Sequence, residues 1–277
     1  MKISLAEHRG FCYGVKRAVK MAEDCREMEK ARTLGPIIHN PQVVKKLEKD
    51  GIIMADSLSE INEGTVIIRS HGVGPTIYNE AKAKNLNIVD ATCPHVKKAQ
   101  MAAHKLLEEG YNIIIIGEEE HPEVQSIFEW AEGKATVIQT VARAINYTAQ
   151  GKIGIVAQTT FSAKAFQEIV SVLIMKATEI KIERTICNAT AQRQESAIAL
   201  AKQVELMLVV GGKNSANTGR LAELCKEVCD KCYHIETVEE MKAEWFEGIA
   251  HVGVTAGAST PDWVINEVCQ CLNKGDA

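Results

Sequence analysis

The 277-residue sequence predicts an α/β protein of three pseudo-repeated small domains, each with a parallel sheet, arranged as a trefoil around a shared centre. Three observations predict it. Short apolar runs alternate with amphipathic helical stretches, the pattern of parallel sheets covered by helices. Cysteines stand at three strand-to-helix corners: Cys12 in "ISLAEHRGFCYGVKRAV", Cys93 in "VDATCPHVKKA" and Cys187 in "IKIERTICNATAQRQESAIALA". They are 81 and 94 residues apart, each near one third of the chain. A polar loop residue follows each at almost constant distance, His39 after 27 residues, His121 after 28 and Ser215 after 28, a spaced self-similarity of the kind that marks repeats.

The elements follow in the same order in each third. After Cys12 come a helix, the strand-loop-helix "LGPIIHNPQVVKKLEKDGI" with His39, and a second, "TVIIRSHGVGPTIYNEA", with His71. After Cys93 come a helix, "YNIIIIGEEEHPEVQSIFEWA" with His121 and Glu123, then "KIGIVAQTTFSAKAFQEI" with Thr159. After Cys187 come a helix, "VELMLVVGGKNSANTGRLAELC" with Ser215, Ala216 and Asn217, then "AHVGVTAGASTPDWVINEV" with Ser259. Residues 1–12 hold a strand whose helix opens the next unit, so they are expected to pair with the last third. The expected domains are therefore 13–92, 93–188, and 1–12 together with 189–277. Ligands of parallel sheets bind at the carboxyl ends of strands, where helix N-termini also point, so the loops are expected to converge.

Composition narrows the function. The chain is 46% hydrophobic and 25% charged, with a net charge of -4, which leaves no electrostatic footprint for nucleic acid or an anionic membrane. The longest pure aliphatic run, Ile113 to Ile116, is far short of a membrane span. The first residues lack an apolar signal-peptide core, so a cytoplasmic protein is expected. Nine cysteines in a reducing compartment point to metal or cluster ligation, catalysis or small core residues rather than to structural disulfides.

Three thiolates are soft ligands suited to zinc, Cu(I) or an iron–sulfur cluster. A structural zinc site is normally closed by four ligands with short CxxC spacings, whereas here each unit offers one thiol. A [4Fe–4S] cluster on three cysteines keeps one iron without a protein thiolate, open to substrate. The competing reading is three small core residues, which would be favoured for any single cysteine but not for three at equivalent corners. The run "CKEVCDKC" with Cys225, Cys229 and Cys232 has the CxxxCxxC spacing of radical S-adenosylmethionine enzymes. Those cysteines share one helical face with Leu221 and Val228, and only 45 residues follow, so they read as core. Cys25 falls on a helical stripe with Ala18 and Ala22 and reads the same way.

The loops "HNP", "SHGVGP", "EEEHPEV", "AQTTFS", "GGKNSANTG" and "TAGASTPD" are rich in His, Ser, Thr, Asn and Gly. Such loops at helix N-termini suit an anion such as diphosphate, although Ser and Asn also cap helices. Glu123, opposite the thiol of its own repeat, is the one carboxylate read as a proton donor. Glu118, Glu119 and Glu120 read as solvated.

The motifs "GFCYGVKRA", "RSHGV", "DATCP", "GEEEHPEV", "AQTTFS", "CNAT", "KNSANT" and "VGVTAGASTPDW", in this order over the whole chain, resemble the 4-hydroxy-3-methylbut-2-enyl diphosphate reductase family of isoprenoid biosynthesis. The resemblance implies a trefoil around a central [4Fe–4S] cluster with Cys12, Cys93 and Cys187 as ligands. It implies diphosphate binding by His39, His71, His121, Ser215, Asn217 and Ser259, with Thr159 and Glu123 beside the substrate hydroxyl. The family often carries a second serine where this chain has Ala216, which keeps the backbone N–H and loses a hydroxyl. The implied reaction is reductive dehydroxylation of an allylic diphosphate, with electrons from a ferredoxin- or flavodoxin-type donor. Arg9, Lys16, Arg17 and Lys20 could attract such a donor or form an ordinary solvated face. Two rivals remain: a non-redox iron–sulfur hydro-lyase, which needs no reductant, and a cluster scaffold or sensor, which needs no anion loops.

Overall fold

The alternation of apolar runs and amphipathic stretches becomes twelve strands and ten α-helices among the described residues, 1–148 and 151–274, of the computed structural model. Strand β1 (Lys2–Leu5) comes first. The next stretch runs α1 (Tyr13–Asp24), β2 (Arg32–Leu34), α2 (Pro41–Lys49), β3 (Ile53–Ala55), β4 (Thr65–Ile68), α3 (Pro75–Ala83) and β5 (Asn87–Asp90). A second runs α4 (Pro94–Glu108), β6 (Asn112–Ile116), α5 (Pro122–Trp130), β7 (Ala135–Ile138), α6 (Val141–Asn146), β8 (Lys152–Ala157), α7 (Ala163–Leu173) and β9 (Glu179–Ile182). The last runs α8 (Asn188–Ala201), β10 (Leu206–Val210), α9 (Ala216–Lys226), β11 (Cys232–Ile235), β12 (His251–Ala256) and α10 (Asp262–Lys274).

The chain divides into two compact units. One holds Met1–Lys16, His39–Lys45 and Asn188–Ala277, the other Arg17–Ile38 and Lys46–Cys187. The first unit contains one parallel sheet in the order β1-β12-β10-β11. Its edge strand β1 pairs with β12 in the register Lys2 to His251 through Leu5 to Val254, so the expected return of the N-terminus to the last third is observed. The second unit contains two parallel sheets, β3-β2-β4-β5 and β7-β6-β8-β9. Within each sheet the order is second, first, third, fourth strand of its own third. The N-terminal strand serves as the fourth in the sheet of the last third.

The central strands explain the near-continuous apolar runs. On β6, Ile113 and Ile115 pack against α4 and α5 while Ile114 and Ile116 face the cluster of α6 and α7. On β10, Leu206, Leu208 and Val210 join the cluster with α10, and Met207 and Val209 join that with α8 and α9. Both faces are covered, so no polar alternation survives. Each such side chain removed from water contributes about 1.5–3 kcal/mol.

Helix starts are written in the sequence. Pro75, Pro94 and Pro122 each occupy the first turn of their helix, where the missing N–H costs nothing. Thr140, Ser162 and Ser215 cap α6, α7 and α9 with their hydroxyls. These starts lie just past the carboxyl ends of strands, so the first and third strand of every sheet delivers a polar loop and the fourth delivers a cysteine.

Candidate functional site

The three cysteine corners share one backbone pattern. Cys93 follows β5 and its N–H donates to Ser70 O at 2.9 Å, while Ala91 N–H donates to Ile68 O. Cys187 follows β9 and donates to Thr159 O at 2.9 Å. Cys12 follows β1 and donates to Ala258 O at 3.1 Å, with Gly10 N–H on Ala256 O. In each case the fourth strand continues its ladder one step past the sheet onto the loop after the third strand. The cysteine thereby sits at the N-terminus of α1, α4 or α8. Cys12 accepts Val15 N–H on its sulfur at 3.5 Å.

All three are half-buried, unlike Cys25, Cys225, Cys229 and Cys232, which are buried in the core. Soft sulfur donors, one per equivalent corner, open enough to meet a group outside the chain, fit an iron–sulfur cluster.

In the unit of Arg17–Ile38 and Lys46–Cys187, the loops after β4, β6 and β8 bring His71, His121, Glu123 and Thr159 together. His121 is the N-cap of α5, and its Nδ1 accepts Glu123 N–H at 3.1 Å. A neutral ring accepting there carries its proton on Nε2, which makes that nitrogen a donor toward an anion. The His71 and His121 rings meet edge to face, 5.5 Å between centroids.

Glu123 is only 2% exposed. Its Oε1 accepts Thr159 N–H at 2.6 Å and its Oε2 lies 2.9 Å from Thr159 Oγ1. Burial pushes its pKa up to about 7, against the lowering effect of the two Thr159 hydrogen bonds and with a small push from Glu118. Such an acid is half-protonated at neutral pH, the range suited to general acid catalysis. Because Thr159 O also receives Cys187 N–H, one residue links the acid to a thiol corner.

Two contributors here, Gln158 and Ser126, carried no individual mark in the sequence. Gln158, buried, accepts Glu118 N–H at 2.9 Å and donates to Thr160 Oγ1 at 3.0 Å, tying the loops after β6 and β8 together. Ser126 Oγ lies 2.7 Å from Glu123 O and 3.1 Å from His71 O, and receives Gln100 Nε2 at 3.1 Å. Glu118 departs from its expected solvation. It is half-buried because Gln158 holds its backbone in the loop, whereas Glu119 pairs with Arg143 at the surface.

The other unit holds His39, Ser215, Ala216, Asn217 and Ser259. Ser259 Oγ donates to His39 O at 3.1 Å and lies 3.4 Å from Ser215 Oγ. Ser215 caps α9, and Ala216 and Asn217 open that helix with their N–H groups at its positive end. Asn217 is 5% exposed, yet neither amide atom has a hydrogen-bond partner among the described residues. A buried carboxamide left so costs about 1–3 kcal/mol, which a bound polar ligand would offset. Arg193 on α8 braces the Cys12 corner by donating twice to Gly10 O, at 3.1 and 2.9 Å. As a lone arginine within a helix, it gave no sequence signal.

Residues 3–273 match the LytB protein family. A 4-hydroxy-3-methylbut-2-enyl diphosphate reductase of Geobacter metallireducens is 50% identical, over 100% of this chain and 99% of its own. A solved (E)-4-hydroxy-3-methyl-but-2-enyl diphosphate reductase, the terminal enzyme of the non-mevalonate pathway, superposes with a TM-score of 0.74. It is 45% identical, covering 99% of this chain and 100% of its own. The E-1-hydroxy-2-methyl-but-2-enyl-4-diphosphate reductase of Plasmodium falciparum gives a TM-score of 0.90 at 29% identity, covering 99% and 87%. With the family match running from the first strand to the last helix and half the residues shared with a full-length relative, this chain belongs to the LytB family.

Proposed function

We propose that this protein reduces (E)-4-hydroxy-3-methylbut-2-enyl diphosphate to isopentenyl and dimethylallyl diphosphate, with Glu123 as proton donor and Cys12, Cys93 and Cys187 holding a [4Fe–4S] cluster. The single observation that carries the reading is the buried Glu123–Thr159 pair, whose threonine also anchors the Cys187 corner. It supports the reading because an acid with a pKa raised to about 7 stands at the carboxyl ends of strands next to the Cys187 corner. The cluster would supply one-electron transfer and Lewis acidity.

The change consumes two electrons and two protons. One proton departs with the hydroxyl as water, and the other ends on carbon at either end of the allyl unit. Glu123 delivers the first, directly or through the Thr159 hydroxyl. His39, His71, His121, Ser215, Asn217 and Ser259, with the Ala216 N–H, hold the diphosphate. Their binding energy orients the hydroxyl rather than taking part in the chemistry. Electrons come from a ferredoxin- or flavodoxin-type carrier. The domains are 13–92, 93–188, and 1–12 with 189–277, a division supported by one sheet of the same strand order in each. Residues 149–150 and 275–277 of those ranges lie outside the described residues. Among the described residues, no helix is long and apolar enough to cross a membrane.

The test is anaerobic purification with iron and sulfide counting, then turnover of the allylic alcohol diphosphate with a chemical reductant. Both isoprenyl diphosphates should form, and only when reductant is present. Dehydration without reductant would establish the hydro-lyase instead.

A further inference from the structure

We propose that a cavity at the carboxyl ends of β2, β3 and β4 binds a small organic monocarboxylate through Arg69. The cavity has a volume of about 380 Å³, within the range of small-ligand pockets. It lies wholly in the unit of Arg17–Ile38 and Lys46–Cys187. Gly35 follows β2, the Asp56–Ser59 segment follows β3, Arg69 follows β4, and the outer turns of α5 close it with Gln125, Ser126 and Glu129. His71, His121, Glu123 and Thr159 do not line it.

Arg69 defines the chemistry. Its Nε is buried and has no hydrogen-bond partner among the described residues. Its pKa is lowered by burial and raised less by Glu129. A guanidinium presents five donors in a planar fork matched to a carboxylate, and leaving the buried Nε–H unmet is costly. Gly35, at φ +69°, makes room for it, since a Cβ there would lie 2.7 Å from Arg69 Nη1.

The rest of the lining selects among anions. Leu34, Leu58, Val73 and Ile77 give apolar wall for an organic body. Asp56, Glu80 and Glu129 are exposed members of the lining, so every added negative charge on a ligand meets more repulsion, which disfavours a di- or triphosphate more strongly than a single carboxylate. A ligand in this cavity touches Ser126, whose hydroxyl lies 2.7 Å from Glu123 O, so it rests on the helix that carries the acid.

The experiment titrates benzoate, butyrate, neutral benzamide and inorganic diphosphate onto the anaerobic holoenzyme while following the Arg69 Nε–Hε resonance by NMR. At least one carboxylate should shift it saturably, with benzamide at least about tenfold weaker and diphosphate without effect on that resonance. Measured by calorimetry, which does not rely on that resonance, Arg69→Gln should weaken carboxylate binding by at least about tenfold, the scale of a lost charged hydrogen bond. Ile77→Phe, which fills the cavity and keeps the charge, should do the same. The proposal is overturned if neither carboxylate saturates, if benzamide matches them, if diphosphate moves the resonance more, or if both variants bind as the parent does. None of these outcomes depends on the reductase reading, which the turnover assay tests separately.

Discussion

Cys12, Cys93 and Cys187 are spread over the chain, 81 and 94 residues apart, whereas Cys225, Cys229 and Cys232 fall within eight residues. The compact set looks more like a ligand motif on paper. In the structure it packs inside the cluster of Ala197, Met207, Val209 and Leu221. Cys229 Sγ faces Lys231 O at 3.6 Å and Cys232 Sγ faces Ala222 O at 3.8 Å. The hydrogen bond with Cys232, and then burial, push the Cys225 thiol up, while the same bond lowers Cys232; burial raises Cys229, so two of the three thiols are held away from the thiolate a metal requires. The dispersed set lies half-buried at helix N-termini, each corner tied to a loop carbonyl. The difference teaches that position within a structural repeat outweighs spacing within a local run.

The largest effect that would break this contrast is loss of the cluster. On the proposed ligand set, replacing Cys12, Cys93 or Cys187 with serine removes a soft donor, so each variant should lose the brown absorbance of the reconstituted protein and its turnover. Iron counting and absorbance after anaerobic reconstitution check it. Retention of a full cluster by any of the three would remove that corner from the ligand set.

Next comes the acid. Glu123→Gln keeps shape and hydrogen bonding but removes the exchangeable proton, so turnover should fall by roughly 10²–10⁴-fold with the cluster retained. Glu123 also gives two pH signatures, since folding raises its pKa from 4.5 to about 7. In its proposed role as proton donor it acts when protonated, so the parent rate should fall as pH rises through about 7. The stability sign is the same: the contribution is fully present below 4.5 and is lost as pH rises through about 7. The total is roughly 3 kcal/mol. Urea melts of parent and Gln variant between pH 5 and 8 check it, because only the parent should weaken over that span.

A smaller effect is expected in the anion loops. His71→Ala, Ser215→Ala and Asn217→Ala should each weaken diphosphate binding by roughly 1–3 kcal/mol, the scale of a hydrogen bond to a charged group. Calorimetry on the cluster-loaded protein checks it. Unchanged affinity in all three would move the anion elsewhere, and the unmet carboxamide of Asn217 would need another partner.

Sheet architecture was legible because β6, β8, β10 and β12 are buried on both faces and their apolar runs are bounded by glycine and polar loops. Even the long-range pairing of β1 with β12 could be read, because Cys12 has a corner whose strand the first third lacks. Loop positions were legible through their constant offsets from the cysteines. What stayed hidden depends on contacts between distant segments. Gln158 and Ser126 act by bridging loops from different strands, and Arg193 reaches Gly10 across 183 positions. A run of three glutamates suggests solvent, and only the bond from the Glu118 N–H to Gln158, which ties that backbone into the loop, explains why Glu118 is half-buried while its two neighbours are exposed.

The smallest expected effect tests the comparison from its other side. Cys225→Ala removes one sulfur from a site that is fully buried against Leu221 and Cys229. The cost should follow the lost transfer energy and a small cavity, about 1–2 kcal/mol, with Cys232 keeping its Ala222 carbonyl neighbour. A denaturant midpoint should therefore shift modestly while iron content, absorbance and turnover at low denaturant stay at parent values. Cys225→Val, with similar volume and no thiol, should recover most of that loss, because packing is the role that matters here. Loss of iron from either variant, at a midpoint shift this small, would mean the compact triplet touches the cluster after all and that repeat position is the poorer guide.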